Sequence, residues 1–244
     1  MYKLGKPALG RVQDAVYNSL RKSIMNLNLV PGTAISEKEV SLRYKVSRTP
    51  VREAFIHLSQ EGLVRVIPQK ETLVSLIDIA RVKQEFFLRE NLEAGVLGPF
   101  IKNSNPQYFA EMERLLEMQR LAYNRNDHIN FVMYDDLFHR TFFEAAGQML
   151  SWYVLESMSG HYHRMRLLTI RLKGIAHDVV DHHTMILKAL REKDLNEAHT
   201  RFRMHIHKLD TEEELLMREY PGYFVSGSEK DVFETDFGGF PIQP

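Results

Sequence analysis

The residues of this 244-residue chain whose types and spacing could do chemistry are its histidines and a few acids. Ten of the 11 histidines fall between His128 and His207; only His57 lies outside. Helical spacing sorts them. Asp135 and His139 are four apart and share a face with Phe131, Phe138, Phe142 and Phe143. Asp136, next to Val132 and Arg140, is placed toward solvent. His183 has Val179, Val180, Ile186 and Leu187 three and four residues away, whereas His182 has Asp178. His205 lies in a stripe with Ala198, Phe202 and Leu209, and His207 sits beside Arg203 and Asp210. Asp135, His139, His183 and His205 therefore converge from three helices on an apolar interior. Burying such groups is costly unless they are bonded or coordinated. Two readings fit: separate core histidines, each hydrogen-bonded, or one shared cation. An Asp-His-His-His set suits Zn²⁺ first, with Ni²⁺ or Mn²⁺ also accommodated, and leaves one or two positions for water or a ligand oxygen. The chain has no cysteine, which excludes disulfides, thiolate catalysis and Cys-ligated metals.

A second chemistry lies near the N-terminus. The chain is neutral overall, with 32 Lys+Arg and 32 Asp+Glu. Residues 1–75 carry 12 basic against 6 acidic side chains, so the remainder is acidic by the same margin. A basic head on an acidic body points to a polyanion partner. Arg48 and Arg52 are four apart at the start of a helical stretch, and arginine reads guanine edges bidentately. Ser47 and Thr49 suit phosphate oxygens, and Lys38 and Lys45 add charge.

The elements that must position these groups are legible. Val12, Val16, Leu20 and Ile24 mark an amphipathic helix over 11–27. Ser36-Glu37-Lys38-Glu39 is a capping box opening a short helix over 37–44. Ser47 is expected to cap the next, with Pro50 in its first turn, running to about Gln60 and stopping at Gly62. Two such helices outline a helix-turn-helix. Residues 63–67 and 72–76 are β-prone around Pro68-Gln69-Lys70-Glu71, a hairpin that reads as a wing. From Ile79 onward the pattern is helical, at 79–102, 106–125, 128–146, 149–171, 175–192 and 194–217. The predicted fold is mostly α. Residues 1–77 form a winged helix-turn-helix and 78–220 an all-helical bundle, with 221–244 an extended tail packed by Tyr220, Tyr223 and Phe224. No apolar run approaches the roughly 18–20 residues that span a bilayer, and no signal peptide opens the chain. A cytoplasmic protein with no membrane partner is expected.

The runs Val30-Pro31-Gly32-x-x-Ile35-Ser36-Glu37, Val46-Ser47-Arg48-Thr49-Pro50-Val51-Arg52-Glu53-Ala54 and Glu61-Gly62-Leu63-Val64 resemble the winged-helix signature of GntR-type bacterial transcription regulators. That resemblance implies operator contacts from Lys38, Ser47, Arg48, Thr49 and Arg52 on double-stranded DNA. It departs at Glu71, where the family commonly has glycine; a carboxylate at the wing tip would repel phosphate and puts contacts from Gln69 and Lys70 in doubt. Asp135-x-x-Phe138-His139, then Ala145-Ala146-Gly147, His183-x-x-Ile186-x-x-Ala189-Leu190 and Ala198-x6-His205 are similar to the FCD ligand domain of FadR-like members. The resemblance implies a divalent metal on Asp135, His139, His183 and His205. Arg89-x-x-Leu92-Glu93 resembles the family's Arg-x-x-Leu-Glu, whose arginine meets an acidic effector; the other reading is a structural Arg89–Glu93 pair. Arg164, Arg166 and Arg203 are further candidates.

The expected function is a ligand-responsive DNA-binding regulator, not an enzyme. It would repress a catabolic operon as a homodimer and be released by a small carboxylate, a sugar acid or hydroxy acid, at the metal. Two alternatives are a metal-dependent hydrolase of HD type, suggested by His177-Asp178 and Asp181-His182, and a metal-free regulator sensing an apolar effector.

Overall fold

The computed structural model describes residues 9–67, 71–172, 175–207 and 213–225. The head opens with α1 (Leu9–Met25), which buries Val16, Leu20 and Ile24 along one stripe. A two-residue strand, β1 (Ala34–Ile35), leads into α2 (Glu37–Tyr44), capped by the Ser36 hydroxyl accepting from the Glu39 amide at 3.1 Å. The turn to α3 (Arg48–Gln60) passes through Lys45 in the left-handed region. Helix α3 buries Val51, Ala54, Phe55 and Leu58 against α1. Strands β2 (Val64–Ile67) and β3 (Glu71–Val74) complete an antiparallel sheet of order β1-β3-β2. The pairing sets Ile67 opposite Glu71 and Ala34 opposite Leu73. Glu71 is thus the first residue of a strand rather than a turn residue, and it is exposed. Residues 68–70, including Gln69 and Lys70, lie outside the described set. Strand β1 was not expected; two residues give no periodicity to read.

The body is helical: α4 (Ile79–Asn103), α5 (Pro106–Asn124), α6 (His128–Ala145), α7 (Met149–Ser157), α8 (Gly160–Arg171), α9 (Ile175–Arg191), α10 (Leu195–Ile206) and α11 (Glu213–Glu219). Side-chain caps start several of them: Asp78 for α4, Asn105 for α5, Asp127 for α6 and Asp194 for α10. Two apolar clusters fill the body. One holds Leu97, Phe100, Phe138, Phe142, Ile186 and Phe202. The other holds Ile77, Phe131, Val132, Leu168, Val180 and Leu216. Helix α6 runs through both, so the residues between Val132 and Phe138 stand where the two clusters meet.

Two expected helices are divided. The stretch 149–171 breaks between Ser157 and Gly160. The amides of His161 and Tyr162 then donate to Glu85 Oε2 of α4 at 2.9 and 2.8 Å, so a carboxylate from another helix caps α8. Gly160 sits tightly against the head: a Cβ would stand 2.7 Å from Leu63 Cδ2, so Leu63 would have to shift. The stretch 194–217 gives α10 and α11, with residues 208–212 outside the described set. The tail is not free at its start. Ile77 N donates to Tyr223 O at 2.7 Å, Val225 N donates to Ile77 O at 3.0 Å, and Phe224 is buried. Residues 226–244 lie outside the described set.

Candidate metal centre and DNA-reading face

Helix α6 projects Asp135 and His139 on one face, α9 projects His183 and α10 projects His205. All four are buried. The three Nε2 atoms form a triangle with every side 3.2 Å. Asp135 adds Oδ1 at 3.5 Å from His183 Nε2 and Oδ2 at 3.7 Å from His139 Nε2. The four donor atoms lie within 4.8 Å of one another.

The donor chemistry fits a cation. His139 Nδ1 stands 2.6 Å from Glu93 Oε2, too poorly aimed to count as a finished hydrogen bond yet close enough for the carboxylate to hold a proton on that nitrogen. His183 Nδ1 stands 2.9 Å from Gln119 Oε1, and the Gln119 amide donates to Asp135 Oδ1 at 3.3 Å. The acceptors at Nδ1 of His139 and His183 place the proton there and leave a lone pair on each Nε2, while His205 Nδ1 has no partner. Those two lone pairs, 3.2 Å apart and beside the Asp135 carboxylate, repel unless a cation or a proton from His205 Nε2 lies among them. Burial lowers the His183 pKa to about 3 and that of His205 well below its usual range, so both rings are held neutral, as metal ligation requires. This buried group could hold a metal ion.

The wall beside it carries two buried guanidinium groups, each paired with carboxylates. Arg89 of α4 donates to Glu93 at 2.7 Å, and its other nitrogens reach Asp135 at 3.5 Å and Asp136 at 3.7 Å. Arg166 of α8 binds Asp135 and, at 2.6 Å, Asp136. Both guanidinium groups lie 5.6 Å from the Tyr162 ring centroid. Burial pushes the Asp135 carboxyl up, but Arg166, the imidazoles and Arg89 outweigh it and hold it at about 2. Asp136 is also held below its usual range, against burial, by Arg166, His163 and Arg89. Asp136 is thus not the solvated acid that its neighbours suggested; it is half-buried and paired. Arg89, Asp135, Tyr162, Arg166 and His205 line a cavity of about 20 Å³, room for about one water.

Other candidates go elsewhere. Arg164 is fully buried at the junction with the head, and Arg203 is exposed. His207 reaches Glu90 at 2.9 Å, outside the donor group. His177 and Asp181 form an exposed pair at 3.4 Å on α9, outside the donor group. Gln119, Tyr162 and the Asp136–His163 contact at 3.4 Å were not anticipated. Gln119 carried a signal: it is the lone polar residue in the buried stripe Met112, Leu115, Leu116, Ala122 of α5.

On the head, Lys38, Ser47, Arg48, Thr49 and Arg52 are all exposed, around the first turns of α2 and α3. Ser47 occupies the cap position of α3 but makes no side-chain capping bond, so its hydroxyl remains available. Arg52 is held by Glu37 of α2 through two bonds, 3.0 and 3.1 Å.

A winged helix-turn-helix head carrying a helical body with a cation-ready chamber defines a DNA-binding regulator with a ligand domain. The chain belongs to the GntR family of bacterial regulatory proteins and carries an FCD domain. Residues 12–74 match the gntR family of bacterial regulatory proteins and residues 85–208 match the FCD domain. The chain is 30% identical over 213 residues to the HTH-type transcriptional repressor RspR of Escherichia coli K12, covering 87% of this chain and 93% of that one. It is 26% identical over 180 residues to the gluconate operon transcriptional repressor of Bacillus subtilis, covering 72% and 74%. Among solved structures, E. coli McbR/YncC superposes with a TM-score of 0.70 at 21% identity, over 86% of this chain and 98% of that one. A GntR regulator from Rhodococcus sp. RHA1 gives 0.67 at 20% identity, over 85% and 98%. These relatives are transcriptional regulators, not enzymes, and the hydrolase alternative falls with them. Among the described residues no helix is long and apolar enough to cross a membrane.

Proposed function

We propose that this regulator represses a catabolic operon and is released when a small carboxylate, a sugar acid or hydroxy acid, binds beside a divalent metal on Asp135, His139, His183 and His205. The observation that carries the reading is the sharing of Asp135 between the imidazole triangle and Arg166. Charge counting selects the ligand. Arg89 and Arg166 contribute two positive charges; Glu93, Asp135 and Asp136 contribute three negative ones, for a sum of −1. A divalent cation turns that to +1, which one carboxylate neutralises. Zn²⁺ suits the donors best, with Ni²⁺ and Mn²⁺ also accommodated. When bound, the metal offers an open position to an effector oxygen, while Arg89 and Arg166 supply paired N–H donors for its charge. A metal-free regulator of an apolar effector is disfavoured by the same count. The relative named for a gluconate operon points in the same direction, since gluconate is a sugar acid.

A cavity of about 20 Å³ cannot admit such an effector without displacing its walls. Tyr162 and Arg166 both belong to α8, so entry moves that helix, whose first turn grips the head. The division of labour follows the chain: residues 1–77 read DNA in the cytoplasm, through Lys38, Ser47, Arg48, Thr49 and Arg52, and 78–220 hold the ligand and the dimer contacts. A second copy fits the exposed apolar stripe of Leu150 and Val154 on α7 and Met158 just after it, beside Phe87 and Leu88 of α4.

The test is operator binding by metal-loaded protein against a panel of sugar acids and hydroxy acids. At least one should weaken operator affinity by about tenfold or more, and Arg89→Lys, which loses the bidentate fork, should blunt the effect. If no carboxylate changes operator affinity while metal is bound, the reading fails.

A further inference from the structure

We propose that the seam between head and body holds a second small-molecule site, for an anion carrying an apolar body, such as an aryl carboxylate. A cavity of about 450 Å³ lies there, within the usual size of small-ligand sites. Its walls come from both parts of the molecule: Asn18 and Lys22 of α1, Met133 and Arg140 of α6, Trp152 and Tyr153 of α7.

The charge of the lining calls for an anion. Five basic side chains face the cavity against Asp136 and Glu156; Arg89 and Arg166 are held by acids of the metal chamber and Arg21 by Glu61, which leaves Arg140 and Lys22. Asp136 is already committed to Arg166 and His163. Arg140 has no ion pair among the described residues, and its buried Nε has no hydrogen-bond partner. A guanidinium nitrogen taken out of water without an acceptor is costly, and an anion in the cavity supplies the acceptor. Lys22, exposed on the opposite wall, likewise has no carboxylate partner among the described residues. Trp152, Tyr153 and Met133 provide the surface for an aromatic or branched apolar body.

This site borders the metal chamber and shares Arg89 and Arg166 with it, but Arg140 and Lys22 line only the larger cavity. It also spans the seam that Arg21 already bridges, its guanidinium binding Glu61 of the head at 2.7 Å and the Glu156 carbonyl of the body at 2.9 Å. A ligand held by Lys22 and Arg140 adds a second bridge there, so its occupancy is felt in how the head sits on the body.

Trp152 is the single tryptophan of the chain, so the cavity carries its own reporter. The probe is anilinonaphthalene sulfonate, an aromatic anion, titrated into full-length protein with excitation of Trp152. The expected result is saturable energy transfer at one probe per chain, displaced by benzoate but not by benzyl alcohol, and insensitive to chelators. Arg140→Met and Lys22→Met should each weaken binding by about tenfold, with Arg140→Lys recovering most of it. Lys22 is exposed, so its variant folds even if Arg140→Met does not. Absence of energy transfer, equal displacement by benzyl alcohol, loss on chelation, or unchanged affinity in the folded variants each overturns the proposal.

Discussion

Arg164, wholly buried on α8, donates to the carbonyl of Ser75, the residue that follows the last wing strand, at 2.6 Å. Its Nε donates to the Gly160 carbonyl at 3.0 Å. The neighbouring His161 Nδ1 accepts the Asp78 amide at 3.1 Å. Burial lowers the Arg164 pKa to about 10, partly offset by Glu85, yet leaves it charged at neutral pH. Helix α8 thus has its first turn against the head while Tyr162 and Arg166 face the chamber. One rigid element touches both the presumed effector and the DNA-binding part, which is the physical requirement for coupling them.

Replacing Arg164 by Met leaves the Ser75 carbonyl without its side-chain donor. The expected cost is about 1–3 kcal/mol in urea denaturation, with a weaker effector response in operator binding. A variant as stable and as responsive as the wild type would show that this junction carries no signal.

Acid should loosen the same junction. Burial lowers the His161 pKa to about 3, with Arg164 and Arg81 adding to the effect, and burial does the same to His183. In the unfolded chain these rings take up protons near pH 6.5. The unfolded state therefore binds more protons below that value, so the stability they contribute is complete above about pH 6.5 and declines as pH falls toward 3. Metal-free protein should lose melting temperature steadily between pH 6.5 and 4.5, and His161→Gln should flatten that slope. A melting temperature independent of pH in this window would contradict the neutral assignment.

The DNA face makes its own prediction. Arg52 must leave Glu37 before it can read a base, so Glu37→Gln should tighten operator binding, whereas Arg52→Ala should cost about 1–3 kcal/mol. Lys38→Ala should weaken binding uniformly and reduce its salt dependence. Glu71→Gln, which keeps the strand length and removes the charge, should tighten binding most at low salt. Gel-shift titrations at two salt concentrations check all four; unchanged affinity in Arg52→Ala would remove it from the interface.

The elements were legible wherever local chemistry decides them. Ser36 and Asn105 mark their helix starts by side-chain caps, and the apolar neighbours of His139 and His183 mark their inward faces. What was not legible is set by distant contacts. The break before Gly160 interrupts an otherwise continuous helical pattern where Glu85, from another helix, caps the new helix start. Asp136 was misplaced because its partner Arg166 lies 30 residues away on another helix. Arg164, an effector candidate by type, is consumed by the head junction instead.

The central claim is that the imidazole triangle with Asp135 holds a metal. The direct measurement is elemental analysis of protein purified without a histidine tag, after exposure to Zn²⁺, Ni²⁺ and Mn²⁺, for the wild type, His182→Ala and His183→Ala. His183 Nε2 points into the triangle, whereas His182 lies outside it. One ion per chain is expected in the wild type and in His182→Ala, none in His183→Ala, and a lower melting temperature after chelation. Equal metal in the two variants, or none in the wild type, would contradict it.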